Sequence, residues 1–423
     1  MKTLLQGGLV YDRGQLHPMD VEITDGVISA MGDTVLASPQ TRVLDLDGLA
    51  VFPGFVDVHV HLREPGFSYK ETIASGTRAC ARGGYTTVCA MPNLNPVPDC
   101  DEGLAAQEKL IAENAVIRVL PYGAITRGQR GEGEVVDMAR LAPRVCGFSD
   151  DGRGVKEEDT MRLAMRRCRE ADSIIAAHCE DMRLIPQHGA IHAGSYARAH
   201  GIPGIPSQSE WEPIRRDIAL VRETGCAYHV CHVSCRESVA LIRAAKAEGL
   251  NITCETAPHY LLLSQDDLRD EGRFKMNPPL RDESDRQALL EGLLDGTIDM
   301  IATDHAPHSA EEKSRGLARS AMGIVGIETA FPLLYTRLVE TGVMPLSMLI
   351  DRLSYAPRAR FRLSGGLREG ERAELTAFDL HACERIDPEQ FLSMGRATPF
   401  AGWEVHAACR LTMVGDRIAY TAL

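Results

Sequence analysis

The chain has 423 residues, of which 44% are hydrophobic and 25% charged, and this composition excludes a disordered or fibrous protein. A formal net charge of −13 without a basic stripe argues against a nucleic-acid partner or an anionic membrane surface, and leaves a small-molecule partner open. No run approaches the roughly 18–20 apolar residues of a membrane span, and residues 1–15 lack the apolar core of a signal peptide. We therefore expect a cytoplasmic protein.

Both ends of the chain are predicted to be β-rich. Short strands separated by Gly- and Asp-containing turns are expected over residues 3–12, 19–26, 27–33 and 41–48, and the pattern resumes after Gly366 in residues 373–380 and 403–420. These features predict a small β-sandwich domain formed by residues 1–52 and 366–423 around a larger insert, residues 53–365.

The insert alternates apolar runs with helical stretches, which is typical of βα units on a parallel sheet. The eight runs are Phe55–His61, Tyr85–Met91, Ile117–Ile125, Val145–Asp150, Ser173–His178, Ala227–Val233, Asn251–Thr256 and Asp299–Asp304. Eight such units predict an α/β fold, a (β/α)8 TIM barrel. A doubly wound open sheet is the alternative, but no G-x-G-x-x-G follows the first run.

Polar side chains follow five of the eight runs, at the end of a barrel strand where catalytic residues lie. They are His59 and His61, Asp150 and Asp151, His178, His232, and Asp304 with His305. Four imidazoles and two candidate carboxylates are therefore expected on one face of the barrel. The sequence does not decide whether Asp150 or Asp151 points there, because neighbours on a strand face opposite sides.

Two-residue alternation places His59 and His61 on the same side of their strand, as two ligands of one metal require. An H-x-H pair alone fits a structural histidine pair equally well, but His178, His232 and Asp304 at equivalent strand ends favour a metal. Imidazole and carboxylate ligands without thiolates suit zinc, with manganese or cobalt as alternatives. The twelve cysteines are scattered without a C-x-x-C pair, so we expect buried, inert thiols.

Such a metal centre suits the hydrolysis of an amide without a protein nucleophile. Zinc lowers the pKa of a bound water to about 7, and a second ion can polarise a carbonyl oxygen. Asp304 would bind one metal, accept the proton of the attacking hydroxide and return it to the leaving nitrogen. A helix cap is the alternative role for Asp304, although the loop-like sequence His305–His308 follows it.

These motifs resemble the bacterial type I dihydroorotases, in the cyclic-amidohydrolase branch of the amidohydrolase superfamily. The resemblance covers essentially the whole chain. It rests on PGFVDVHVHLREPG at 53–66, MPNLNPVPD at 91–99, FSDDG at 148–152, CHVS at 231–234, KMNPPLR at 275–281 and DHAPH at 304–308, together with His178.

The resemblance implies a zinc-dependent, reversible conversion of N-carbamoyl-L-aspartate to L-dihydroorotate in pyrimidine biosynthesis. By the same resemblance, one or two zinc ions are held by His59, His61 and Asp304 on one side and by His178 and His232 on the other, with Asp151 between them and Asp304 as the catalytic acid/base. The implied substrate contacts are His61, Arg63, Asn93, Asn277, His308 and the main chain of Met322 and Gly323. Arg63 and Asn93 also fit independently, because a substrate carboxylate calls for a guanidinium and neutral donors beside the metals.

Two rival functions stay open at this point. Hydantoinases and allantoinases share the chemistry, but many relatives bridge their metals with a carboxylated lysine at the end of strand four. Residues 148–152 contain no lysine here, and Lys156 lies beyond a glycine-containing loop. The other rival is a catalytically silent subunit that scaffolds aspartate transcarbamoylase, although every ligand position is filled. A homodimer and aspartate transcarbamoylase are the protein partners that the resemblance suggests.

The other histidines are interpreted as neighbours of the site or as surface residues. His229 and His259 are expected to be hydrogen-bonded neighbours, and His188, His192 and His200 lie in a stretch from about Met182 to Pro213 that is predicted to be an irregular insertion over the mouth or a partner surface. Residues 313–322, which follow the DHAPH block, are predicted to form a lid that excludes bulk water.

Overall fold

The computed structural model describes residues 2–423. Its strands are β1 (Lys2–Asp12), β2 (Gln15–Thr24), β3 (Val27–Gly32), β4 (Arg42–Asp45), β5 (Ala50–Pro53), β6 (Phe55–Val60), β7 (Tyr85–Ala90), β8 (Arg118–Pro121), β9 (Ile174–Ala177), β10 (Ile191–His192), β11 (Gly204–Ile205), β12 (Ala227–Val230), β13 (Ile252–Thr256), β14 (Met300–Ile301), β15 (Glu374–Arg385), β16 (Glu404–Val414) and β17 (Arg417–Thr421).

The α-helices are α1 (Ile73–Arg82), α2 (Asp101–Asn114), α3 (Met138–Leu141), α4 (Glu158–Glu170), α5 (Ser195–His200), α6 (Gln208–Thr224), α7 (Arg236–Ala247), α8 (Pro258–Leu262), α9 (Glu283–Leu294), α10 (Ala310–Lys313), α11 (Gly316–Arg319), α12 (Ala330–Leu334), α13 (Leu346–Ile350) and α14 (Ala356–Arg360). The segments Tyr335–Val339 and Asp351–Tyr355 are π-helical. No helix within residues 2–423 is both long enough and apolar enough to cross a bilayer.

The two ends of the chain form one β-domain, as predicted. Strands β17, β16, β15, β5, β1, β2 and β3 are neighbours in that order, and β4 pairs with β1. The ends meet where β15 runs antiparallel to β5, with Leu375 opposite Pro53. The domain has its own apolar core, which includes Val21, Ile23, Leu375 and Leu411. The boundaries at 52/53 and 365/366 stay a prediction.

The central part of the chain is a closed barrel of parallel segments. Strands β6, β7 and β8 pair in parallel, as do β9, β12, β13 and β14. Phe148 pairs with Gly123 on one side and with Ile175 on the other, and His305 pairs with Val60 to close the ring. The predicted TIM barrel is therefore confirmed, with a β-sandwich built from the two termini.

Two expectations about individual segments need correction. The fourth run, Val145–Asp150, is not a regular strand, because only Phe148 makes bridge pairings within it. The insertion also ends earlier than Pro213, since residues from Gln208 onwards belong to the 17-residue helix α6. Pro213 lies inside that helix and made its first turns resemble a loop in the sequence. Between Met182 and Gln208 the chain forms α5 and the two-stranded sheet of β10 and β11.

Candidate metal centre

The predicted metal ligands converge at one end of the barrel. His59 is the penultimate residue of β6 and His61 directly follows that strand, while His178 directly follows β9. The structure also brings His232, Asp151 and Asp304 to this place, each just beyond a barrel strand or bridge. All six side chains are buried.

Asp151 lies at the centre of the cluster. Its Oδ1 atom is 3.3 Å from His59 Nε2 and 3.5 Å from both His178 Nδ1 and His232 Nε2. Its Oδ2 atom is 3.6 Å from His61 Nε2. Although burial opposes ionisation, the surrounding imidazoles hold the pKa of Asp151 well below its usual range. One carboxylate thus lies among nitrogen atoms of four histidines, an arrangement that suits a metal site.

Asp304 lies on the side of the cluster formed by the first two histidines. Its Oδ1 atom is 3.1 Å from His61 Nε2 and 3.6 Å from His59 Nε2. Burial raises the pKa of this carboxyl group, but the neighbouring histidines outweigh burial and lower it below its ordinary value. A buried carboxylate in contact with metal-binding imidazoles is suited both to a cation and to proton transfer.

Asp150 points away from this cluster, which resolves the ambiguity between the two adjacent aspartates. Its carboxylate accepts hydrogen bonds from the main-chain N–H groups of Ile125, Thr126 and Gly131, and from the Thr126 hydroxyl. These contacts tie the loop after β8 to the end of the fourth barrel segment. Asp150 therefore supports the backbone that carries Asp151.

The residues present fit a metal, because their unpaired atoms face one another. His59 Nε2 and Asp151 Oδ1 are buried and have no hydrogen-bond partner within residues 2–423. Buried polar atoms normally find a partner, so such orphans mark a missing ligand. His59, His61 and Asp151 form one group of potential ligand atoms within 4.8 Å of one another, and Asp151, His178 and His232 form a second.

Comparison with known proteins shows the family of this chain. Residues 48–238 match the model of the Dihydro-orotase-like family. A dihydroorotase of Bacillus cereus (strain B4264) is 49% identical over 417 residues, which are 98% of this chain and 97% of that protein. A dihydroorotase of Bacillus anthracis is 48% identical over the same shares of both chains. The chain belongs to the dihydroorotase family.

Solved structures of cyclic amidohydrolases have the same fold. The L-hydantoinase (dihydropyrimidinase) of Arthrobacter aurescens superposes with a TM-score of 0.87, covering 99% of this chain and 96% of its own at 24% identity. The D-hydantoinase (dihydropyrimidinase) of a Thermus species gives 0.86, with coverage of 99% and 95% and the same identity. At this level of identity the likeness concerns the fold alone.

Glu255, which sequence reasoning missed, orients the first histidine. Its Oε1 atom lies 2.8 Å from His59 Nδ1, and its Oε2 atom lies 3.0 Å from His229 Nε2. Burial raises the pKa of Glu255, but the two histidines overcome that effect and lower it to about 2. A charged residue inside the apolar run of β13 was the available signal, because a buried carboxylate needs a partner.

Glu180 was also missed, and it connects the metal cluster to a predicted substrate contact. Its Oε2 atom lies 3.1 Å from His178 Nε2, while Oε1 accepts a hydrogen bond of 3.0 Å from Asn277 Nδ2. His178 therefore directs Nδ1 towards His232 Nε2, at 2.9 Å, and Asp151 Oδ1, at 3.5 Å, while Nε2 faces the Glu180 carboxylate. Such outer partners fix the ring orientation and raise the basicity of a metal-binding histidine.

Arg63 and Lys70 both contact His308 beside the site. Arg63 donates from Nε to the Pro307 carbonyl at 3.1 Å, and its Nη2 atom is 3.3 Å from His308 Nε2. His308 Nε2 donates to the Met322 carbonyl at 2.8 Å, and Lys70 Nζ lies 3.2 Å from His308 Nδ1. Burial, with Arg63 and Lys70, lowers the pKa of His308 to about 3, so its imidazole is neutral near pH 7.

Asn93 is placed next to the central carboxylate. Its Nδ2 atom donates to the Asp151 carbonyl at 2.7 Å, whereas its Oδ1 atom is buried without a partner among residues 2–423. Both main-chain polar groups of Gly323, a predicted substrate contact, are already hydrogen-bonded within the protein. Its N–H donates to the Lys275 carbonyl at 3.0 Å, and its carbonyl accepts from Lys313 Nζ at 2.7 Å.

Three residues of this site have left-handed backbone conformations that non-glycine residues rarely adopt. The φ angles are 64° at Arg63, 36° at His232 and 48° at Asp304. Such conformations cost energy and concentrate at functional sites, where the surrounding structure imposes them. Their occurrence at three strand ends supports the assignment of the functional site to this end of the barrel.

The hydrogen bonding of the remaining histidines agrees only in part with what the sequence predicted. His229 is hydrogen-bonded to Thr253 and Glu255, as expected. His259 departs from the expectation, because its Nε2 atom is buried without a partner among residues 2–423, and burial lowers its pKa to about 4. His192 lies 3.3 Å from Arg281 Nη1.

All twelve cysteines are free thiols; most are buried, but Cys100 and Cys146 are half-buried and Cys383 is exposed.

Proposed function

We propose that this protein is a zinc-dependent enzyme that interconverts N-carbamoyl-L-aspartate and L-dihydroorotate in pyrimidine biosynthesis. The observation that carries the proposal is the Asp151 carboxylate, which lies within 3.6 Å of nitrogen atoms on four buried histidines in a chain of the dihydroorotase family. A hydrolase acting on cyclic amides is the activity that this family and its structural neighbours share.

The ligand set supports two ions. His59, His61 and Asp304 would hold one ion, His178 and His232 the other, and Asp151 would contact both. Zinc is the preferred candidate because imidazole and carboxylate ligands without thiolates suit it. Bound at these residues, the metal would supply Lewis acidity and an acidified water near neutral pH.

Asp304 is proposed as the proton carrier. In the hydrolytic direction water first releases one proton to solvent, and the Asp304 carboxylate accepts the remaining proton of the attacking hydroxide as the new carbon–oxygen bond forms. It then delivers that proton to the ring nitrogen as the carbon–nitrogen bond breaks, so that a ureido NH2 and a carboxylate result. In the cyclising direction the same proton follows the reverse path. The contact of Asp304 with His61 and its lowered pKa keep it ionised at the start of hydrolysis.

The proposed substrate contacts surround the metal cluster on two sides. Arg63 would pair with the substrate α-carboxylate, since a guanidinium matches a carboxylate with two donors. The unpartnered Oδ1 of Asn93 would accept a hydrogen bond from a substrate N–H group. His61, Asn277, His308 and the main chain of Met322 and Gly323 complete the proposed set. The lid formed by residues 313–322 would exclude bulk water from it.

The cell compartment and the protein partners are further proposals. Twelve free thiols suit a reducing cytoplasm, which supports a cytoplasmic enzyme. A homodimer and a complex with aspartate transcarbamoylase rest on the family resemblance. Light scattering of the protein alone, and after mixing with aspartate transcarbamoylase from the same organism, would test both associations.

A comparison of substrates tests the proposed reaction. We expect turnover of L-dihydroorotate with kcat/KM at least a hundredfold above that for hydantoin, allantoin or dihydrouracil, none of which carries the α-carboxylate. Preference for hydantoin or allantoin would instead assign the protein to the rival cyclic amides. Metal-loaded protein without activity on any of them, alone or with aspartate transcarbamoylase, would overturn the proposal.

A further inference from the structure

A buried ammonium group lies outside the metal cluster and serves no part of the mechanism above. Lys313 is the last residue of α10 and is 9% exposed. Its Nζ atom donates three hydrogen bonds, to the carbonyl oxygens of Lys275 at 3.0 Å, Ala321 at 2.7 Å and Gly323 at 2.7 Å. An ammonium has three donors, so each is matched to one carbonyl.

The three carbonyls belong to the two segments that carry predicted substrate contacts. Lys275 lies two residues before Asn277, and Ala321 and Gly323 flank Met322. The segments are joined directly as well, because Gly323 N–H donates to the Lys275 carbonyl. Lys275 itself donates from Nζ to the Ala318 carbonyl at 2.7 Å, which fastens the intervening lid segment. Lys313 is therefore the common point of attachment for these loops.

The burial of this ammonium is not offset by an opposite charge. Within residues 2–423 no carboxylate forms a salt bridge with Lys313, and the preceding residue, Glu312, is paired with Lys70 at 2.9 Å. Burial, with the charge of Lys275, lowers the pKa of Lys313 to about 7. A buried charge that is held only by carbonyl groups costs stability. An aliphatic residue would avoid that cost but would remove the donor of three carbonyl oxygens, so the hydrogen bonds are what the ammonium contributes here.

We propose that Lys313 is a positioning residue, whose ammonium fixes the main chain at 275 and 321–323 so that Asn277, Met322 and His308 are presented to the substrate. His308 belongs to the same unit because it donates to the Met322 carbonyl. The inference rests on the proposed function, in that these segments contact the substrate. It predicts that loss of the three hydrogen bonds from Lys313 Nζ impairs substrate binding and leaves the metal centre intact.

Replacement of Lys313 by methionine tests the role, since methionine has similar length but no donor. We expect Lys313→Met to raise KM for L-dihydroorotate at least tenfold, while kcat changes less than threefold and the metal content per chain equals that of the wild type. Lys313→Arg retains a cationic donor but not three donors on one atom. Its KM should lie between those of the wild type and Lys313→Met. Lys109→Met, which replaces an exposed lysine on α2 outside this segment, is the matched control and should leave KM unchanged.

Limited trypsin digestion gives a readout that does not depend on turnover. Cleavage after Arg315 and Arg319 should be at least tenfold faster in Lys313→Met than in the wild type, because the segment between them is no longer held. If the wild type is inactive but this acceleration appears, the proposed reaction fails and the anchoring role stands. Unchanged KM together with unchanged cleavage would overturn the inference.

A measurement on the wild type covers the case in which Lys313→Met does not fold. With a trace of acetic anhydride, Lys313 in the native protein should be acetylated at least tenfold more slowly than exposed Lys109, as followed by mass spectrometry. Equal acetylation of the two lysines would contradict the three hydrogen bonds from Lys313, since an amine that donates to three carbonyls is not free to react.

Discussion

His59 and Glu255 lie 2.8 Å apart, Nδ1 to Oε1, in the buried interior at the end of the barrel. This contact leaves His59 Nε2 facing Asp151, the geometry that a metal-binding imidazole requires. Glu255 also contacts His229, so one carboxylate on β13 orients two rings. Glu255 thus orients a histidine of the candidate metal cluster without belonging to the proposed ligand set.

The first prediction concerns Glu255→Gln. Glutamine keeps the size of the side chain but removes its charge and offers only one acceptor oxygen, so one of the two histidines loses its partner. We expect affinity for zinc to fall about 10–100-fold. Titration of the purified protein with a chelator, with metal measured per chain, checks this. Glu248→Gln, whose parent residue pairs with Arg222 on the surface, is the control; equal zinc retention in both variants would count against the orienting role.

The second prediction concerns His59→Ala. Removal of a proposed ligand that faces both Asp151 and Asp304 should abolish turnover and release metal from the protein. Elemental analysis and the dihydroorotate assay on the same sample measure both effects. His200→Ala removes an exposed histidine of the insertion and should change neither. Full metal content with retained activity in His59→Ala would show that the ligand assignment is wrong.

The sequence was sufficient to predict the barrel and the place of its site, because the rule that strand ends carry the chemistry needs only apolar runs and the residues that follow them. The convergence of His59, His61, His178, His232 and Asp304 at one end of the barrel was predicted in this way, and their role as ligands stays a prediction. The choice between Asp150 and Asp151 needed coordinates, since the fourth barrel segment is irregular and alternation does not apply there.

Residues that act through other residues were not identified from the sequence. Glu255 and Lys313 have partners far away along the chain, and Glu180 joins the nearby His178 to the distant Asn277; a single sequence does not show such pairings. Each becomes intelligible only when its contacts are seen: a histidine for each glutamate, three carbonyls for the lysine.

The third prediction concerns Arg63→Met. If this guanidinium pairs with the substrate carboxylate, its loss should remove about 1.5–3 kcal/mol of charge-assisted binding, or roughly 10–150-fold in kcat/KM for L-dihydroorotate. Activity on dihydrouracil, which lacks the carboxylate, should change less than threefold, so the preference between the two compounds collapses. Arg78→Met, at an exposed site, is the control. An equal loss on both compounds would point to a general defect rather than carboxylate recognition.

The fourth prediction is a pH dependence of stability that originates at His308. Burial, Arg63 and Lys70 lower its folded-state pKa to about 3, below the ordinary value of 6.5. Between these values the unfolded chain binds a proton that the folded chain does not, so stability is lost as the pH falls from about 6.5 towards 3. The side chain is 9% exposed, so screening by solvent is small. The loss approaches about 1.4 kcal/mol per pH unit.

Guanidinium unfolding of the wild type and of His308→Gln at pH 7 and pH 5 measures this dependence. The wild type should lose about 1–2 kcal/mol more than the variant between the two pH values, because glutamine has no proton to gain. Metal content is matched in all samples, so that loss of metal in acid affects both proteins alike. Parallel pH dependence in the two proteins would show that His308 is not the origin.

The central claim is that the metal held by the Asp151 cluster is required for turnover of L-dihydroorotate. The most direct test follows the ultraviolet absorbance of L-dihydroorotate with protein whose metal content is known from the same preparation. Turnover should disappear on chelation and return when zinc is added back. Turnover that persists after the metal has been removed, or no turnover with zinc fully bound, would contradict the claim.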